Sequence, residues 1–316
     1  MDPLTQAIAL LRPAGLLWKP SRLSGDWAIR FPAHRAAVFC AVTSGSCRLS
    51  LPGYESGLEA GDFLLLVAPP AWILAGGGPA PAVDFRPDHH ATGERVVGPA
   101  DGAPELRLLG GFFAFGDSNA ALLDSVLPPI THIRAADRAA SRLSAVLSLL
   151  GDEAGADRPG RALVVAKLLE IMLVEAIRFD GAPIRLARPG LLAGLADARL
   201  AAPLRALHRD IRRGWTVAAL AELSGLSRSV FAERFGRVVG QPPIDYLLHW
   251  RVALAKDALR FGGKRPTEIA FECGYQSYSA FSTAFRRVVG CSPGRWVNGT
   301  ARPTLARLAG EGGERE

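Results

Sequence analysis

Two short segments near the C-terminus carry side chains suited to reading nucleic-acid bases. Arg228, Ser229, Ala232 and Glu233 share one side of a helical period, as do Ser277, Tyr278, Ser279, Ser282 and Thr283 in the second segment. A guanidinium pairs with guanine, a carboxylate accepts from the cytosine amino group, and hydroxyls adapt to either role. Arg237, Arg286 and Arg287 follow near the segment ends, suited to phosphate oxygens. For any one of these residues the competing reading is an ordinary solvated helix face. The pattern around them decides between the two.

Side chains enter a groove only when a rigid element presents them, and the flanking sequence supplies that element twice. Ala221 to Pro243 reads AELSGLSRSVFAERFGRVVGQPP, and Ala270 to Pro293 reads AFECGYQSYSAFSTAFRRVVGCSP. Each copy has a Gly four residues after its first Ala (Gly225, Gly274), then a polar cluster and a Phe pair (Phe231 and Phe235, Phe281 and Phe285). A helix, a tight Gly turn and a second helix form a helix-turn-helix, whose second helix enters the major groove. The spacing predicts recognition helices over Ser227–Val238 and Gln276–Val288, with Ser227 capping the first through its hydroxyl. Their supporting helices are expected over Thr216–Leu223 and from Pro266-Thr267. Val230, Phe231 and Phe235 should face inward in the first copy, Phe281 and Phe285 in the second. Pro243–Phe261 reads as one helix of 19 residues, roughly 28 Å long at 1.5 Å per residue. Major-groove faces on one side of B-DNA recur about every 34 Å. A rod of this length can hold two recognition helices in adjacent turns.

Charge agrees with that reading. The 316 residues carry a net +7; residues 181–316 hold 21 Lys/Arg against 11 Asp/Glu, while residues 1–180 hold 16 against 19. A basic C-terminal half on a mildly acidic N-terminal half fits double-stranded DNA as a partner of one end only. The most apolar stretch, Ala162–Phe179, is broken by Lys167, Glu170 and Glu175, so no membrane span is expected. Met1–Leu17 lacks the basic start of a signal peptide, and four cysteines do not make a disulfide scaffold. The expected location is cytoplasmic.

From about Leu195 to Val297 the chain resembles the DNA-binding domain of the AraC/XylS family of bacterial transcription regulators. The likeness rests on the Ala-x-x-x-Gly and Phe-x-x-x-Phe of both copies and on the ending Phe285-Arg286-Arg287-Val288-Val289-Gly290-Cys291-Ser292-Pro293-Gly294-Arg295-Trp296. It implies base contacts by Ser229, Ala232 and Glu233 in the first copy, and by Tyr278, Ser279 and Thr283 in the second. The chain departs from many relatives at Ala232, which cannot hydrogen-bond a base, and at Glu233, which is acidic. The first helix would then discriminate through methyl contacts and cytosine.

The N-terminal half alternates short apolar runs with Gly, Pro and Asp, the mark of an antiparallel barrel or sandwich. Phe39–Gly53, Leu58-Glu59-Ala60-Gly61-Asp62 and Leu109–Arg134 with His132 resemble the cupin-type effector domain that often precedes this DNA-binding domain. The overall class is α+β: a cupin-like antiparallel barrel with flanking helices, then an all-α domain with two helix-turn-helix units. The boundaries are read as residues 1–117 for the barrel, 118–190 for a helical linker, 191–300 for the DNA-binding domain and 301–316 for a disordered tail. Within the linker, Ser118–Leu127, Ala135–Leu150 and Arg161–Phe179 look helical. The last of these is apolar nearly all round, which suits an interface with a second subunit as well as an intrachain core. Ala196–Arg213 reads as a further helix.

No cofactor or metal is expected, because the His and carboxylate cluster of a metal-binding cupin reduces here to His34, with His89-His90 in a polar stretch. A small-molecule pocket would draw on Trp27, Phe39, Phe63 and Trp72, which serve equally well as plain core. Ser44-Gly45 is a hairpin signal that would set Val42 opposite Cys47 and Cys40 diagonal to it. A redox switch using Cys40 and Cys47 would therefore need a strand shift. The expected function is sequence-specific transcription regulation under a small-molecule or redox signal, with RNA polymerase as a partner if the protein activates. A cupin enzyme with a basic accessory domain is the alternative.

Overall fold

The computed structural model describes residues 2–18, 20–85, 94–99, 105–116, 119, 122–137, 140–156, 158–179 and 189–299. His89-His90, residues 180–188 at the end of the expected linker and the 301–316 tail lie outside them. Two compact units emerge, and their division does not follow chain order. One comprises Pro13–Phe115 and Leu127–Pro183; the other comprises Met1–Arg12, Gly116–Val126 and Ile184–Glu316.

The first unit is a curled half-barrel sheet of 11 strands. These are β1 (Ala14–Leu17), β2 (Ser21–Leu23), β3 (Trp27–Phe31), β4 (Ala37–Leu51), β5 (Tyr54–Glu59), β6 (Phe63–Val67), β7 (Trp72–Gly76), β8 (Ala82–Asp84), β9 (Arg95–Val97), β10 (Leu106–Ala114) and β11 (Ile130–Ile133). Most pairs are antiparallel, but β2–β9 and β3–β8 are parallel. The sheet is thus mixed rather than purely antiparallel, because strand direction follows the route of the chain and not the local apolar pattern.

Ser44-Gly45 does not reverse the chain. β4 runs through it as one 15-residue strand. Val42 pairs with Leu108 and Ser44 with Arg107, so Thr43 is an extra residue, a β-bulge. Gly45 follows with φ 80°, where a Cβ would meet the Glu105 carbonyl at 1.6 Å. The first part of β4 pairs with β6 and β10, the second with β5 and β7. One bent strand therefore serves both halves of the sheet.

The helical period expected after Phe115 is interrupted by β11, which follows Pro128-Pro129 and pairs with β6. Two helices complete this unit. In α3 (Ala140–Gly155) Leu143, Leu147 and Leu150 are buried, and in α4 (Arg161–Arg178) Leu168, Leu169, Met172, Leu173, Ala176 and Ile177 are. The two helices pack on each other, and α4 also lies along β1.

The second unit is helical. It holds α1 (Pro3–Leu11), α2 (Leu123–Val126), α5 (Leu191–Ala196), α6 (Ala201–Arg209), α7 (Val217–Ser224), α8 (Arg228–Val239), α9 (Pro243–Phe261), α10 (Pro266–Glu272), α11 (Tyr278–Val289) and α12 (Pro293–Gly299). The continuous helix expected over Ala196–Arg213 is instead broken between α5 and α6. There the Asp197 carboxylate accepts the Arg199 and Leu200 N–H groups at 2.9 and 3.2 Å, competing with the helical pattern. Among the described residues no helix is long and apolar enough to cross a membrane.

Candidate nucleic-acid interface

Each copy of the repeat folds as two helices joined by a left-handed turn. In the first, the Thr216 hydroxyl accepts the Ala219 N–H at 3.1 Å and starts α7. Gly225 then turns the chain at φ 65°, and Ser227 accepts the Val230 N–H at 3.4 Å to cap α8. In the second, Glu268 accepts the Arg265 N–H at 3.0 Å at the head of α10, Gly274 turns at φ 82°, and Ser277 accepts the Ala280 N–H at 3.2 Å. The cap hydroxyls also meet a second Ser each, Ser229 at 3.3 Å and Ser279 at 3.0 Å. A side chain at Gly274 would strike the Arg212 backbone at 2.7 Å.

Burial sorts the faces. Phe231 and Phe235 in α8, and Phe281 and Phe285 in α11, are fully buried. Ser227, Arg228, Ser229, Glu233 and Arg237 are exposed, with Ala232 half-buried. In the second copy Gln276, Ser277, Tyr278, Ser279, Thr283, Arg286 and Arg287 are exposed and Ser282 is half-buried. Two expectations change. Val230 is 50% exposed rather than inward, because it lies five residues before Phe235 and shares its stripe with Glu233 and Arg237. Gln276 precedes the cap residue Ser277 and belongs to the turn, not to the helix.

α9 joins the two copies. Tyr246, Leu247 and Trp250 are buried along its first half, where Tyr246 meets the Phe235 ring edge-on at 5.7 Å. Val252 and Ala255 are buried with Ile269, Phe281 and Phe285 of the second copy. Arg251 donates to the Ile211 carbonyl at 2.7 and 2.9 Å and to the Arg213 carbonyl at 2.9 Å, beside Gly274. His208, buried in α6, bonds the Tyr246 hydroxyl at 2.7 Å and the Gln6 amide oxygen of α1 at 3.0 Å. Burial lowers its pKa to about 4, so the ring is neutral at ordinary pH.

Sequence reasoning missed one fixing contact. Arg234 grips Asp197 with two nitrogens at 2.8–3.2 Å, tying α8 to the α5–α6 break. Burial pushes the Asp197 carboxyl up, but Arg234 and the Arg199 and Leu200 amides outweigh it and hold it below the usual range. The available signal was Asp197 itself, an Asx residue inside an expected helix. In the second copy the position of Arg234 is Ala284. There Arg287 reaches Asp245 of α9 at 3.3 Å, in an exposed pair.

Comparison with known proteins bears on this geometry. A cupin family model matches residues 2–179, and a helix-turn-helix domain model matches residues 220–299. An AraC-like transcription regulator of Streptomyces lividans is 38% identical over 93% of this chain and 97% of its own. The chain belongs to the AraC-like transcription regulators. A second such regulator, from Streptomyces antibioticus, is 35% identical over the same shares. Among solved structures, the DNA-binding domain of AdpA in complex with a target DNA is similar over 33% of this chain and 93% of that one. Its identity is 28% and its TM-score 0.31.

The AraC-like regulator thus joins a DNA-binding helix-turn-helix domain to a cupin domain. In the latter, Trp27, Phe39, Phe63 and Trp72 are all buried. Phe39 lies 6.2 Å from Phe63 and 5.4 Å from Phe113, while Trp72 stacks on Phe31 at 3.9 Å. Cys40 and Cys47 are free, buried thiols of one strand, not of two hairpin arms. Burial raises both, Cys47 to about 12 with Asp62 adding to it. Since the thiolate is the reactive form, burial works against reaction at both. His34 accepts the Ala36 N–H at 3.1 Å and sits against Phe112. His132 bonds Asp62 at 3.0 Å, holding β11 to the turn before β6.

Proposed function

We propose that this regulator reads two successive major-groove faces of one duplex. Ser229, Ala232 and Glu233 contact bases in the first, and Tyr278, Ser279 and Thr283 in the second. Arg237, Arg286 and Arg287 reach phosphates beside them, Arg228 at the head of the first helix is suited to guanine, and Ser227, Gln276, Ser277 and Ser282 lie at the margins. Val230 adds a branched apolar group suited to a thymine methyl. The observation that carries the reading is shared by both copies: a Ser-capped helix with its Phe pair buried turns its polar side chains outward. The cupin unit is the sensor, and the protonated state of Cys40 and Cys47 favours a small-molecule signal over a thiol switch. The exposed Leu163, Val164 and Ile171 of α4 support association of two copies in the cytoplasm, and an activator would also contact RNA polymerase.

Selection of bound duplexes from a random library, followed by footprinting, tests the assignment. Two recognised elements one helical turn apart are expected, with Glu233→Ala relaxing preference in one and Thr283→Ala in the other. Each lost base contact should cost about 1–3 kcal/mol of discrimination. A single element, or unchanged preference in both variants, rejects it.

A further inference from the structure

Besides α9, a second connection runs between the two helix-turn-helix copies, and base reading does not account for it. The 210–214 loop follows α6 and leads into α7, so it belongs to the first copy. It is closed on itself: the Asp210 carboxylate accepts the Arg213 N–H at 3.2 Å, and the Asp210 carbonyl accepts the Trp215 indole N–H at 2.9 Å. Yet the backbone of Arg212, in the middle of the loop, lies against Gly274, the turn of the second copy. All of these residues belong to the helical unit.

Both chemistry and shape hold the loop there. Arg251, near the middle of α9, is half-buried and makes three bonds to the Ile211 and Arg213 carbonyls. Bonds from a charged donor are stronger than neutral ones, and a planar guanidinium fork holds two acceptors in one geometry. The same guanidinium faces the ring of Tyr275, the residue after Gly274, at 5.5 Å. Gly274 permits the close approach, since a Cβ there would stand 2.7 Å from both the Arg212 Cα and the Arg251 Nη2. Gly225, the matching turn of the first copy, meets no such wall. Among the described residues, its Cβ would come within 4 Å only of the far end of the Arg199 side chain, at 3.6 Å. The two turns share a left-handed backbone, at φ 65° and 82°, but only the second also seats a neighbouring loop.

A rod joining two bodies sets their separation but lets one rock about its axis. A second attachment away from that axis removes the freedom. We infer that Arg251, the 210–214 loop and Gly274 form a brace that fixes the second recognition helix relative to the first, and thereby the spacing of DNA elements the regulator accepts. The inference rests on the two-groove reading proposed above. Arg251 is then a positioning residue, acting through the loop and the turn rather than on DNA.

Two measurements on the full-length protein test the brace, and the first needs no DNA. Spin labels at Glu222→Cys in α7 and Thr267→Cys in α10, both exposed positions, report the distance between the copies. Cys291→Ser removes the one thiol that is not buried. Arg251→Met and Gly274→Ala should shift or broaden that distance. Gly225→Ala, similarly strained at its backbone but with no brace to displace, should leave it unchanged. The second measurement uses duplexes whose two selected elements are moved by one or two base pairs, each step about 3.4 Å and roughly 34°. Wild type and Gly225→Ala should lose about tenfold or more in affinity per step. Arg251→Met and Gly274→Ala should lose no more than about threefold, or prefer another spacing. If Arg251→Met does not fold, Gly274→Ala against Gly225→Ala carries the comparison. Three results would overturn the inference: an unchanged distance in the brace variants, the same change in Gly225→Ala, or wild-type spacing dependence in a brace variant that folds. Selection of a single element by the wild type would reject the two-groove reading, and the distance would still judge the brace.

Discussion

The two helix-turn-helix copies share caps, turns and Phe pairs, yet they are held differently. Arg234 and Asp197 anchor the first copy through a two-pronged ion pair that is mostly buried on the acid's side. The second has Ala284 there and only the exposed Arg287–Asp245 contact. Their turns also differ, since Gly225 stands two residues before its cap Ser227 while Gly274 stands three before Ser277. The reading faces diverge as well: Glu233 and Ala232 in the first correspond to Thr283 and Ser282 in the second. Duplication preserved the packing that makes a recognition helix and left anchoring and groove chemistry free to vary.

The largest test of that contrast removes the shared part. Phe231→Ala and Phe285→Ala should each cost about 3–5 kcal/mol of stability, measured by denaturant unfolding. If α9 couples the copies, either change will erase protection of both DNA elements; survival of one footprint would show independent modules. Acid should then act on the first copy before the second, through His208. Its folded pKa of about 4 lies below the ordinary 6.5, so the neutral ring is fully stabilising above 6.5. As pH falls from 6.5 toward 4 the unfolded chain takes up a proton that the folded chain refuses, and on the order of 3 kcal/mol is lost. Tm against pH should show this slope, and His208→Gln should flatten it.

Smaller effects sharpen the comparison. Asp197→Ala should cost about 1.5–3 kcal/mol by stranding Arg234, whereas Asp245→Ala, cutting an exposed pair, should cost about 0–1 kcal/mol. Equal costs would mean that the anchoring difference is not energetic. Ser227→Ala and Ser277→Ala should each lose about 1 kcal/mol, visible as faster amide exchange at Val230 and Ala280.

The helix-turn-helix pair was legible because its signals are local: Gly225, Ser227 and the Phe pair lie within eleven residues and each has one physical job. Ser44-Gly45 misled for the opposite reason. The same dipeptide suits a hairpin or a bulge, and only the distant partners of β4, on β5, β6, β7 and β10, select the bulge. β11 was missed likewise, since four residues after a Pro pair make a strand only when β6 offers an edge. Val230 was misassigned because an apolar residue next to Phe231 looks inward until the helical phase is counted. The membership of α1 in the helical unit had no local signal at all. It rests on Gln6 with His208, and on Arg12, whose guanidinium bonds Asp257 at 2.6 and 3.0 Å over the Phe261 ring.

That last contact closes a span of 245 residues, which has a consequence for biosynthesis. α1 leaves the ribosome first, but its binding surface on α6 and α9 is among the last parts made. At about 5–20 residues per second, α1 waits roughly 12–50 seconds with its apolar face unmatched. The cupin strands between them can pair during that interval. A nascent chain can therefore complete its cupin unit before the DNA-binding unit closes around α1.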